Sequence, residues 1–185
     1  GEKDAALEAY ARALDAAPTW LTCLDAYMRA ASETGRPAEA AERCDTAAKR
    51  MPDRAEPVWW AGLLFKEAGD LERASARFQA YLAGAPEDGR AYLELGVCAF
   101  RSGDQVAAKR WFAAGRACAP DDARLWINGA LVDLHDRAYE DADAGFRQAI
   151  ALRSKDARAW AGRLIALERM NCLAQAEEVL AQARG

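Results

Sequence analysis

The sequence predicts an all-α fold of antiparallel helix pairs repeating every 34 residues, and three observations carry that prediction. Pro18, Pro52, Pro86 and Pro120 are evenly spaced, and so are Gly1, Gly35, Gly69 and Gly103, on the same 34-residue period. An alanine is followed four residues later by an aromatic side chain at Ala6–Tyr10, Ala74–Phe78, Ala108–Phe112 and Ala142–Phe146, with weaker copies at Ala40–Cys44 and Ala176–Leu180. Residue types with unrelated conformational roles that share one period mark a structural repeat. The alanine-rich composition, with few β-branched runs, favours helix.

The segment 89–122 shows how one repeat is built. Tyr92, Leu95, Gly96 and Ala99 fall on one helical face, since successive residues advance by about 100°. Gly103 and Asp104 break that helix and cap the next. A second apolar line follows at Ala108, Phe112 and Gly115, and Pro120 closes the unit. Complete pairs run over 21–54, 55–88, 89–122 and 123–156. Residues 1–20 supply only a second helix, so the sequence reads as a piece of a longer array, and 157–185 has both helices without its closing segment. The whole of 1–185 therefore reads as a single array of about eleven helices.

Small residues set the helix spacing. Gly62, Gly96, Ala74, Ala108 and Ala142 are expected where the two helices of a pair cross, and a larger side chain there would overpack. Asp70 and Asp104 are expected to cap second helices; Asp88, Asp122 and Asp156 are expected to cap the first helices that follow them. No single pair can bury both its faces, so stability must come from stacking.

The step from Tyr92 through Leu95, Gly96, Ala108 and Phe112 to Pro120 resembles the tetratricopeptide repeat, whose pattern is W-x₂-L-G-x₂-Y, A-x₃-F, P over 34 residues. Tyr92 replaces the tryptophan and Ala99 the tyrosine, while Trp126 and Trp160 restore the opening aromatic in later copies. The resemblance covers essentially the whole chain. It implies a right-handed superhelical solenoid, a protein–protein interaction scaffold, and a concave groove lined by the first helices.

Departures from that pattern cluster late. Arg137 stands in the place of the turn glycine, Asp133 in the place of a bulky residue and Ser154 in the place of the proline. The turn at 133–137 is therefore expected to be the least regular, with a local binding feature as the alternative.

On the far side of the first helices, about 80–140° from Tyr92, lie Leu93, Val97 and Phe100. Ile127, Leu131 and Leu134 hold the equivalent places one repeat later, Trp59 and Leu63 one repeat earlier, and Ile165 continues the line. The 21–54 repeat has Asp25, Arg29 and Ser32 instead. By the resemblance this side faces the groove, so Trp59, Leu63, Leu93, Val97, Phe100, Ile127, Leu131 and Leu134 form the expected peptide-binding floor. Arg90, Arg124 and Arg158 run beside it as a basic rim, with Arg101, His135 and Arg169 as a second row. Arginine suits carboxylates because its planar donors bind them in pairs. The competing reading is that the apolar side chains fill the seam between neighbouring first helices.

The known subtypes of the resembled family narrow the partner by exclusion. The groove that clamps chaperone C-termini uses lysine and asparagine where this chain has Trp59, Leu63, Leu93 and Val97. The asparagine ladder of glycosyltransferase arrays is reduced here to Asn128. A net charge of −4 argues against nucleic acid, whose phosphates demand basic excess. No apolar run is long enough to insert in a membrane. The five cysteines, an odd number without a CxxC, read as free thiols in a reducing cytoplasm. His135 lacks a recognisable nucleophile, and Asp133, His135 and Asp136 on one helical turn diverge too far to hold a metal. No catalytic residue, metal or cofactor is expected, and the chain is not read as an enzyme. The expected occupant is another protein: an apolar, carboxylate-bearing peptide or amphipathic helix. The alternatives are self-assembly through the exposed end helices, and a docking or regulatory arm of an enzyme whose catalytic domain lies elsewhere.

Overall fold

The computed structural model describes residues 1–152 and 156–184. Among these residues lie eleven helices and no strand: α1 (Glu2–Ala16), α2 (Leu21–Glu33), α3 (Pro37–Arg50), α4 (Glu56–Ala68), α5 (Leu71–Gly84), α6 (Gly89–Arg101), α7 (Gln105–Cys118), α8 (Ala123–His135), α9 (Tyr139–Ala151), α10 (Ala157–Arg169) and α11 (Leu173–Arg184). The helix pairs fall where the 34-residue register places them. Ser154 lies outside the described residues.

The chain comprises two compact units, Gly1–Pro86 and Glu87–Gly185. Within the first, α1 to α5 pack in sequence order and α2 also touches α4. Within the second, α6 to α11 do the same, and the first helices α6, α8 and α10 lie side by side. Short connections make consecutive helices antiparallel.

Glycine and phenylalanine interlock at the crossings. A Cβ on Gly62 would stand 2.7 Å from the Phe78 ring, and one on Gly96 would stand 2.4 Å from Phe112. Both rings are buried. Gly162 makes the same accommodation for Phe146 of the preceding repeat, with its Cβ position 2.3 Å from the ring. Ala74, Ala108 and Ala142 are fully enclosed, as a close crossing requires.

The expected caps are in place. Asp70 accepts a hydrogen bond from the Arg73 amide and Asp104 from the Ala107 amide. Asp88, Asp122 and Asp156 accept from the amides of Arg90, Arg124 and Arg158. Repeats are also tied at their junction in the second unit, where the Trp126 indole donates to the Pro120 carbonyl at 2.9 Å.

The 133–137 turn corrects the sequence expectation, because it is as regular as the others. Every first helix ends in the same double bond. The Gly103 amide donates to Phe100 O and Asp104 to Ala99 O; Arg137 donates to Leu134 O and Ala138 to Asp133 O. Gly35, Gly69 and Asn171 head equivalent pairs. This is the left-handed helix stop in which two orphan carbonyls are satisfied at once. Arg137 adopts φ 63° to make it, beside φ 71°, 86° and 88° at Gly35, Gly69 and Gly103 and 58° at Asn171. The surrounding packing dictates the backbone, and a side chain that disfavours the conformation is carried along.

One buried charge was not foreseen. Asp45 on α3 is 5% exposed, with Arg77 Nε of α5 at 2.9 Å from its Oδ1. Arg73 of α5 grips the neighbouring Glu42 and stacks over the Phe65 ring at 3.9 Å.

Candidate protein-binding surface

The apolar stripe of the first helices divides by depth. In the second unit, Leu93 is 7% exposed and clusters with Leu125 and Val132 of α8. Ile127 is 0% exposed and clusters with Ala159 and Ala166 of α10. These two fill the seam between adjacent first helices. Ile127 is thus corrected from groove floor to core, and Leu93 lies almost as deep. The reason is geometric: α6, α8 and α10 lie side by side, and each neighbour closes over that row.

The next rows stay open. Val97, Phe100, Leu131 and Leu134 are half-buried, each resting on the core beneath it. Ile165 is 42% exposed. The Phe100 ring meets the His135 ring edge-on, with centroids 5.6 Å apart. In the first unit, Trp59 and Leu63 are half-buried, and Trp59 packs on α5, its ring 5.3 Å from Phe78 and 5.0 Å from Tyr81. The α2 face is polar, as its sequence implies: Arg29 pairs with Asp25 at 2.6 Å, and Ser32 donates to Glu67 at 2.8 Å.

The first basic row is engaged at home. Arg90, Arg124 and Arg158 each fold back on the aspartate that caps their own helix. Nη2 lies 2.7, 2.6 and 2.6 Å from the Oδ2 of Asp88, Asp122 and Asp156, and Nε reaches the other carboxylate oxygen. This pairing holds the Asp122 and Asp156 carboxyls below the usual range, the arginine hydrogen bond being the main cause. The recurrent D-x-R triplet was the available sequence signal. A cap aspartate and a rim arginine two residues on belong to one motif, because the cap conformation brings the two side chains together.

The second row differs. Arg101 is exposed on α6. Arg169 and His135 line a cavity of about 360 Å³ with Leu134, Arg137, Tyr139 and Ile165. Among the described residues no carboxylate pairs with Arg137 or Arg169. His135 Nδ1 lies 3.6 Å from Asp136. Asp133 and Asp136 are otherwise committed to Lys109 of α7, at 2.9 and 2.8 Å. The polar residue that breaks the repeat pattern at 133 therefore anchors one repeat to the previous one. Among the described residues no three histidine, cysteine, aspartate or glutamate side chains converge on one point, and no described helix is long and apolar enough to cross a membrane.

A profile of the tetratricopeptide repeat family matches residues 65–131. No curated protein matches the sequence. Among solved structures, MamA from Desulfovibrio magneticus RS-1 superposes with a TM-score of 0.74 at 20% identity, over 88% of this chain and 92% of that one. A tetratricopeptide repeat protein from Parabacteroides merdae gives a TM-score of 0.74 at 18% identity, over 98% and 72%. Cut9, in the APC/C hetero-tetramer Cut9-Hcn1, gives 0.70 at 18% identity, over 99% of this chain and 36% of that one. Residues 65–131 thus carry the tetratricopeptide repeat family's sequence pattern, and the described helices as a whole carry the solenoid fold seen in tetratricopeptide-repeat structures.

Proposed function

We propose that the second unit binds an apolar, carboxylate-bearing segment of another protein across the faces of α6, α8 and α10, and that the role is one of binding, not catalysis. A repeat fold of this kind is a protein-interaction scaffold, and in one structural relative it occurs in a hetero-tetramer with Hcn1. The observation that carries the reading is the half-open apolar row Val97, Leu131 and Ile165, ending at a 42% exposed isoleucine beside a cavity. Apolar side chains left in contact with water on adjoining helices gain from being covered. Phe100 and Leu134 extend the row, while Leu93 and Ile127 support it from below.

The test uses peptides selected from a random displayed library against the wild-type protein. Val97→Gln with Leu131→Gln should weaken the selected peptides roughly tenfold, since covering the part of each half-buried aliphatic side chain still in water contributes about 1 kcal/mol each, roughly half the value of full burial. Helicity by circular dichroism should be unchanged. Undiminished binding by a folded double variant would overturn the reading.

A further inference from the structure

We propose that the cavity at the C-terminal ends of α8 and α10 is an acid-anchoring subsite. Arg137 and Arg169 take a carboxylate of a bound polypeptide, and Ile165 and Leu134 take the apolar side chain next to it. This rests on the reading of the second unit as a polypeptide-binding surface and names where that surface finds its charge.

Three observations converge here. Of the arginines that the sequence nominates, the first row, Arg90, Arg124 and Arg158, already holds the carboxylates of its own caps at 2.6–2.7 Å. A ligand acid would have to displace an intramolecular partner at each of them. By contrast, Arg137 and Arg169 face a common cavity with no described carboxylate paired to either, and its about 360 Å³ accommodates a side chain. Each guanidinium offers a pair of planar donors, the arrangement that a carboxylate accepts best.

The third observation is conformational. Arg137 sits at φ 63° where three other repeats have glycine. A branched-out cation is disfavoured there, and backbone strain of this kind concentrates at ligand sites. Offsetting the negative end of a helix accounts for His135 and Arg169, which lie in the last turns of α8 and α10. It does not account for Arg137, because a basic residue one turn earlier would serve equally without the left-handed backbone. The apolar wall of Ile165 and Leu134 further distinguishes the cavity from a solvated patch of charge.

The decisive experiment compares peptide selections from one random displayed library against the wild type and the variant Arg137→Gly/Arg169→Gln. Wild-type selections should be enriched in Asp or Glu adjacent to Leu, Ile or Phe, and the variant should select apolar sequences without that enrichment. For a recovered peptide, exchanging Glu for Gln should cost about tenfold on the wild type and nothing on the variant. Arg137→Gly relieves the backbone, so loss of acid preference in a protein that melts no lower cannot be ascribed to misfolding. If the wild type selects apolar peptides without acids, or if the enrichment survives in the variant, the subsite is overturned while the apolar surface stands. If the wild type selects nothing, the surface itself fails and the subsite falls with it.

Discussion

Arg124 and Asp122 grip each other across the start of α8: the carboxylate takes the Arg124 amide at 2.9 Å and, in parallel, its Nε at 2.9 Å and Nη2 at 2.6 Å. One residue pair thus caps a helix and neutralises a cation at the start of that helix. The same arrangement recurs at Asp88–Arg90 and Asp156–Arg158. Asp122→Ala should cost about 1 kcal/mol of stability through the lost cap. The Asp122 carboxyl is depressed in the folded protein, mainly by the Arg124 hydrogen bond. Its contribution should be complete above the unfolded value of about 4 and should disappear as pH falls through the lower folded value. Melting curves of wild type and Asp122→Asn should therefore converge on acidification; a constant gap between pH 6 and pH 2 would count against the pairing.

Arg137→Gly should stabilise the protein by about 1 kcal/mol, because an L-residue in the left-handed region costs about 1–2 kcal/mol and glycine does not. The gain is trimmed by the larger entropy of an unfolded glycine. A urea midpoint that moves upward checks this, and a lower midpoint would show that the arginine side chain supports the turn. Natural sequences trade stability for function at such places.

Gly96→Ala should destabilise by about 1–3 kcal/mol, since its Cβ would stand 2.4 Å from the Phe112 ring, which is 1% exposed and has nowhere to go. Phe112→Leu in the same chain should recover part of the loss, a coupling that a double-mutant cycle measures directly. Additive penalties would mean that the ring does not rest on the glycine.

The thiols should separate by depth. Cys118 is exposed, Cys172 intermediate, and Cys23, Cys44 and Cys98 are buried. Burial pushes the Cys44 thiol up to about 12. Because the thiolate is the reactive form, iodoacetamide at neutral pH should label Cys118 first and leave Cys44 untouched until the protein unfolds. Mass mapping of partially labelled protein reads the order, and early modification of Cys44 would refute the packing around it.

The helix register, the turn positions and the caps were written in the sequence, because each is a local decision. Proline and glycine restrict or free φ at one residue, aspartate reaches an amide two or three residues on, and helical periodicity spans only a few turns. The polar face of α2 and the open face of Ile165 were legible for the same reason. Three matters were decided only by the tertiary structure. Ile127 and Leu93 lie four residues before Leu131 and Val97, about 40° apart round the helix, yet the approach of the neighbouring first helix seals one row and leaves the next accessible. The left-handed turn at Arg137 survives a substitution that local preference alone would reject, because the helices on either side hold its ends. The charges of Arg124 and Arg137 look alike in sequence; their surroundings neutralise the first at its own cap and aim the second into a cavity, since whether a cation is available depends on which groups the fold brings within about 3 Å.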